Sequence, residues 1–227
     1  MDFNDYVNQG FAFLQKKEFG PALENLRAAQ KLKPDNQDIQ NMITMSEEMA
    51  RAESQASQSL ANEARHRAES IGMKVEDVDK AIAEYTEALK RNPNDASVKS
   101  KLSIAYYIRG VTFSSKGEHP RAIEDYSQAI KLEPDYPHAL NKLGFAYSDN
   151  GNFDEAIETF KKLIDICPDY NMADSKLADA YLKRGMVNYD KKDYSSAISD
   201  FKESLKLKPD NTTRELLEMA EAEKAKQ

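Results

Sequence analysis

Apolar residues recur along this chain at a helical period that is interrupted at intervals by proline. Tyr6, Gly10 and Phe13 stand four and then three positions apart; Leu102, Tyr106, Gly110 and Phe113 keep that spacing, and Leu177, Tyr181 and Gly185 follow it again. Steps of three and four place such residues on one face of an α-helix. Behind each glycine runs a second stripe: Ala22, Leu26 and Ala29 after Gly10, Ala122, Tyr126 and Ala129 after Gly110, Ala156, Phe160 and Leu163 after Gly144, and Ala197, Phe201 and Ser204 after Gly185. Pro34, Pro134, Pro168 and Pro209 each fall at one fixed offset beyond their glycine, where proline, which cannot sit in a helix interior, closes the element. A further copy, Ala81, Tyr85, Ala88 and Pro93, carries Glu69 in the glycine place. The pattern predicts five helix pairs. In the four that have it, the glycine lets the second helix approach the first without a side chain between them.

A small residue followed at offsets 12, 16, 19 and 24 by Ala, a large apolar residue, a small residue and Pro resembles the tetratricopeptide repeat, over residues 3 to about 210. The resemblance implies an all-α fold, a right-handed superhelical solenoid of helix-turn-helix repeats in which stacking buries what one pair leaves exposed. It divides the chain into a first repeat at 3–36 and a helical linker or long helix at 37–75 that includes a degenerate first helix of repeat two. The remaining repeats follow at 76–210, closing at Pro93, Pro134, Pro168 and Pro209, with a C-terminal capping helix at 211–227. It also implies that the first helices line a concave groove, through the residues three before and one and four after each glycine. These include Val7, Phe11, Tyr107, Val111, Asn141, Phe145, Leu182, Met186 and Tyr189, and aromatic and Met side chains suit a binding surface. Gly10, Gly110, Gly144 and Gly185 are structural positions in the same scheme.

The closing prolines are unevenly spaced. The step from Pro134 to Pro168 has the usual length of the repeat, those ending at Pro134 and Pro209 are each seven positions longer, and that from Pro34 to Pro93 is longer still. Both seven-longer steps contain one phrase, SKLSIAYYIRG at 100–110 and SKLADAYLKRG at 175–185. Seven extra positions add about two turns, or about 10 Å, and keep the buried face buried. The first helices of these two units are therefore expected to be extended at their N-terminal ends. Arg109 and Arg184 are each followed at the same offset by an acid, Asp125 and Asp200, which predicts an ion pair joining the two helices of each unit. Residues 36–70 contain neither Gly nor Pro; one long helix is favoured there, with a break near Ser57–Ser59 as the alternative. Thr212 with Glu215 reads as a capping box opening a last helix, which would cover the end of the final repeat and mark a true C-terminus.

Charge and composition narrow the function. The net charge of −7 argues against a nucleic-acid partner, which requires a basic stripe. No apolar run is long enough to cross a membrane, the acidic start MDFNDYVNQG is unlike a secretory signal, and the single Cys167 suits a reducing cytoplasm. The three histidines are scattered, with no ligand cluster around them, and no phosphate loop, nucleophile elbow or pair of catalytic acids is found. No enzyme activity, metal or cofactor is expected. Members of the family that clamp acidic chain ends carry Lys three before a glycine and Asn directly after it. No unit here has that pair, which argues against such a co-chaperone. The expected function is a protein–protein interaction scaffold or adaptor that holds a peptide or partner helix in the groove. The alternatives are a self-assembling structural protein, a homo-oligomer joined through the first repeat and the 36–70 helix, and a client chaperone.

Overall fold

The computed structural model describes residues 1–15, 18–170 and 172–226. The described residues form α1 (Phe3–Gln15), α2 (Phe19–Leu32), α3 (Gln37–Ser70), a 3-10 turn (Val75–Asp77), α4 (Val78–Arg91), α5 (Ala96–Ser115) and α6 (His119–Leu132). They continue with α7 (Pro137–Asp149), α8 (Phe153–Ile166), α9 (Ala173–Asp190), α10 (Tyr194–Leu207) and α11 (Asn211–Lys224). No strand occurs among them, and the fold class is all-α.

Five of the helices have their C-cap directly before a proline for a single reason. Lys33, Asn92, Glu133, Cys167 and Lys208 are the C-caps of α2, α4, α6, α8 and α10, each with ψ between 77° and 100°. The ring of the following proline excludes helical ψ at the residue before it. The helix stops there while the cap N–H still reaches back four residues, as Glu133 does to Ala129.

The chain forms two compact units, Met1–Leu60 and Ala61–Gln227, and α3 contributes residues to both. In the first unit Leu26, Ala29, Ile39 and Ile43 make a core against which Tyr6, Val7, Leu14 and Met42 pack. In the second unit each helix packs on its neighbours in sequence: α5 on α6, α7 on α8 and α9 on α10 within pairs, with α4 on α5, α6 on α7 and α8 on α9 between them. Leu140, Phe160, Leu163, Leu177 and Tyr181 form one such inter-pair core. Along α10, Ala197 and Phe201 are covered by α11 through Ala220, Leu216 and Leu217.

Where a glycine faces the second helix of its pair, the aromatic ring opposite takes the space. A Cβ on Gly144 would stand 2.6 Å from Phe160, and one on Gly185 would stand 2.7 Å from Phe201. The first helices differ in length: α5 has 20 residues and α9 has 18, against 13 in α7. The surplus precedes the glycine, and Leu102 and Leu177 within it are buried.

Each arginine of the repeated phrase joins three helices. Arg109 donates to both Asp125 oxygens at 2.8 and 2.7 Å, and through its remaining nitrogen to Asp79 of α4 at 2.7 Å. Arg184 repeats this with Asp200 at 3.0 and 2.6 Å and with Asp154 of α8. The hydrogen bond to Asp125 raises the Arg109 pKa against the opposing pull of burial. The α11 cap differs from the expected capping box. Asp210 is the N-cap and accepts from the Thr213 N–H at 2.8 Å, because its extended backbone aims the carboxylate at the open turn. Thr212 lies inside the helix.

Candidate functional site

The face built by the first helices α5, α7 and α9 divides into a filled part and an open part. Tyr107 and Val111 of α5 are fully buried and Asn141 of α7 is nearly so, unlike the open groove positions expected of them. The Tyr107 ring lies 5.9 Å from that of Tyr126 and 5.3 Å from that of Tyr136, and its hydroxyl donates to the Glu63 carboxylate on α3. Lys142 of α7 reaches the other Glu63 oxygen at 2.9 Å. Burial pulls the Glu63 carboxyl up, but the hydrogen bonds from Lys142 and Tyr107 outweigh it and leave the pKa below the ordinary value. Burial and the neighbouring carboxylate push the Tyr107 hydroxyl well up. His138 sits close by, within 3.3 Å of the Tyr170 hydroxyl, its pKa lowered by burial and by the charge of Arg67. This side of the face is occupied by the last turns of α3, whose Ala64 and Ala68 are buried.

The open part lies on α7 and α9. Phe145 is 37% exposed and Met186 is 47% exposed, and Leu182 is half-buried beside them. Phe145 packs edge-on against Phe160 at 5.7 Å. A cleft of about 200 Å³ is lined by Phe145, Ser148, Phe160, Lys176, Asp179, Leu182 and Lys183. The Lys176 ammonium lies 4.2 Å from the Phe145 ring centroid. Burial and the nearby Lys142 and Lys208 lower its pKa, while Asp179 pulls the other way. Lys183 donates to Ser148 at 3.2 Å and lies 3.9 Å from Asp149. Tyr189 is half-buried, its ring 5.3 Å from that of Tyr194. Val7 and Phe11 belong to the first unit, where Val7 packs on the core and Phe11 is exposed.

A larger cavity of about 450 Å³ is lined by Asp154, Arg184, Asn188 and Asp200 among others. Asp154, Arg184 and Asp200 satisfy one another, and Asn188, which stands where three other repeats have Phe13, Phe113 and Tyr147, donates to Asp200 at 3.0 Å. Among the described residues no group of His, Cys, Asp and Glu could hold a metal ion, and no helix is long and apolar enough to cross a membrane. Three residues of the site were missed as partners by reading the sequence: Glu63, Lys176 and the Phe160 floor. Lys142 and Lys183 carried a usable signal, since each stands two positions before its glycine.

Known proteins bear on the repeats directly. Residues 110–151 match the family model described as TPR repeat, and residues 135–210 match that described as Tetratricopeptide repeat. Hsp70-Hsp90 organizing protein 1 of Glycine max is 27% identical over 140 residues, which span 61% of this chain and 23% of that protein. Small glutamine-rich tetratricopeptide repeat-containing protein 2 of Mycosarcoma maydis is 34% identical over 74 residues, covering 33% and 19%. The chain thus spans under a quarter of the length of these two relatives. Among solved structures, the Sgt2 TPR domain from Aspergillus fumigatus is 24% identical with a TM-score of 0.35, over 53% of this chain and 77% of that one. The helix pairs closed by proline, with glycine seated against an aromatic ring, are the repeats that the two family models describe, and residues 110–210 of this chain are tetratricopeptide repeats.

Proposed function

We propose that this chain is a non-enzymatic protein-interaction adaptor that holds a peptide or partner helix against the face of α7 and α9. The observation that carries this reading is the exposure of Phe145 on α7, which shares a cleft with Leu182 of α9, together with the exposure of Met186 one turn beyond Leu182 on α9. Large apolar side chains left open beside polar rims mark interaction sites more often than chance exposure does. The named roles of the relatives point the same way: one is called an organizing protein for Hsp70 and Hsp90. The recognition is of another kind than a clamp on a chain end, because no repeat here has the Lys and Asn pair around its glycine.

The test is capture of partners from the native source by wild type and by Phe145→Ala/Met186→Ala, identified by mass spectrometry. Both side chains are exposed, so the variant is expected to keep its helical circular dichroism and to lose the partner set. Retention of the same partners by a folded variant would place the binding surface elsewhere. Self-assembly is the second reading, favoured by the exposure of Met45 and Met49 one turn apart on α3. Light scattering on the full chain checks it, and a monomer at all concentrations would end it.

A further inference from the structure

The filled part of the first-helix face is an internal precedent for what the open part accepts. On the filled side an acidic side chain of a helix, Glu63 of α3, lies on Lys142 at 2.9 Å. Lys142 stands two positions before Gly144, and Lys183 stands two before Gly185 on the next first helix. The two lysines therefore have the same register on consecutive repeats but different surroundings. Lys142 is paired and 19% exposed at its side chain; Lys183 is 48% exposed and its nearest acid, Asp149, is at 3.9 Å. Two turns earlier on α9, Lys176 lies over the Phe145 ring and forms no ion pair among the described residues. The chain as a whole carries −7, yet this cleft sets Lys176 and Lys183 against one carboxylate, Asp179, which Lys208 approaches at 3.3 Å, over an apolar floor of Phe145, Phe160 and Leu182.

We infer that the cleft takes an α-helix of a partner protein bearing a side-chain carboxylate for Lys176 and Lys183 and, one turn away, an apolar side chain for the Phe145–Leu182 floor. This rests on the binding face proposed above and names the class of its partner. A cleft of about 200 Å³ is below the usual size of a small-molecule site and suits side chains projected from a helix. A half-buried ammonium over an aromatic ring gains from a carboxylate what burial cost it, and complementary charge also selects against basic partners. Helical rather than extended geometry follows from α3, which presents Glu63 to Lys142 from a helix.

The experiment uses the full chain and three synthetic peptides read by fluorescence anisotropy. The first is an end-blocked, alanine-based helix with one Leu and one Glu a turn apart. The second has Gln for that Glu, and the third has Gln and a free terminal carboxylate. The Glu peptide is expected to bind at least about tenfold more tightly than the Gln peptide at low salt, with the gap narrowing as salt rises. In Lys176→Gln/Lys183→Gln, whose fold is checked by circular dichroism, the gap is expected to vanish. Equal binding of the Glu and Gln peptides, a gap that survives in the double variant, or a preference for the free terminal carboxylate overturns the inference. A Phe145→Ala arm separates it from the reading beneath. If Phe145→Ala weakens all peptides while Glu and Gln stay equal, the face binds but not through an acid. If Phe145→Ala changes nothing, or if no peptide binds at millimolar concentration, both fall.

Discussion

Gly144 and Phe160 show how a single missing side chain holds a repeat together. A methyl group at Gly144 would meet the Phe160 ring, buried in the inter-pair core, at 2.6 Å, and a packed ring has nowhere to move. Gly144→Ala is expected to destabilise the fold by about 1–3 kcal/mol, measured as a lowered urea midpoint. The arginine clusters separate buried from exposed partners. Asp200 is 4% exposed at its side chain, whereas Asp154 is 79% exposed, on the same Arg184. Arg184→Met strands the buried carboxylate and should cost about 3 kcal/mol. Asp154→Asn should cost less than about 1 kcal/mol, because solvent already screens that pair. Equal losses in the two variants' denaturation curves would refute this division. Asp79 and Asp154 were legible in principle, since they recur at the same interval as Arg109 and Arg184. Nothing local distinguishes them from other exposed acids.

Helix α3 is the element whose role depends most on what lies across from it. Its continuity over Gln37–Ser70 follows from a stretch without Gly or Pro. Its last turns carry Glu63 to Tyr107 and Lys142, which lie on α5 and α7, well separated from it along the chain. A carboxyl whose folded pKa lies below its unfolded value stabilises the fold above the unfolded value, about 4.3 for Glu, and loses that contribution as pH falls through the folded one. The Glu63 pKa is lowered. Glu63→Gln should therefore melt below wild type near neutral pH, with the two curves starting to converge only below the unfolded value of about 4.3 and meeting once pH has passed the folded one. Thermal melts followed by circular dichroism across that range check it, and a constant difference down to acid pH would contradict the pairing. On α5 the resemblance to the repeat family assigned Tyr107 to the groove face. Periodicity carries no information about another helix covering that face.

Within the second unit, packing mainly between helices that are neighbours in sequence makes stability close to a one-dimensional sum. Leu26 lies in the core of the first unit, fully buried. Leu26→Ala should cost about 2–5 kcal/mol locally. Hydrogen exchange is expected to speed up in α1 and α2 while α7 to α10 of the second unit keep their protection. Uniform acceleration across both units would mean one cooperative block instead. The same order limits where a partner can act: a ligand on α7 and α9 protects those helices and their neighbours first.

Helix pairing, closing prolines and the glycine–aromatic contacts were determined by the sequence alone, because period, proline sterics and fixed offsets are local along the chain. Leu26, Tyr126, Phe160 and Phe201 could be named as core residues from spacing, and all four are fully buried. Only the tertiary structure decided which first-helix positions stay open. Tyr107 and Phe145 stand three before and one after their glycines, both on the predicted face, yet one is capped by Glu63 and the other is exposed. Exposure is set by the helix that arrives from elsewhere in the chain, and that arrival leaves no mark in local periodicity.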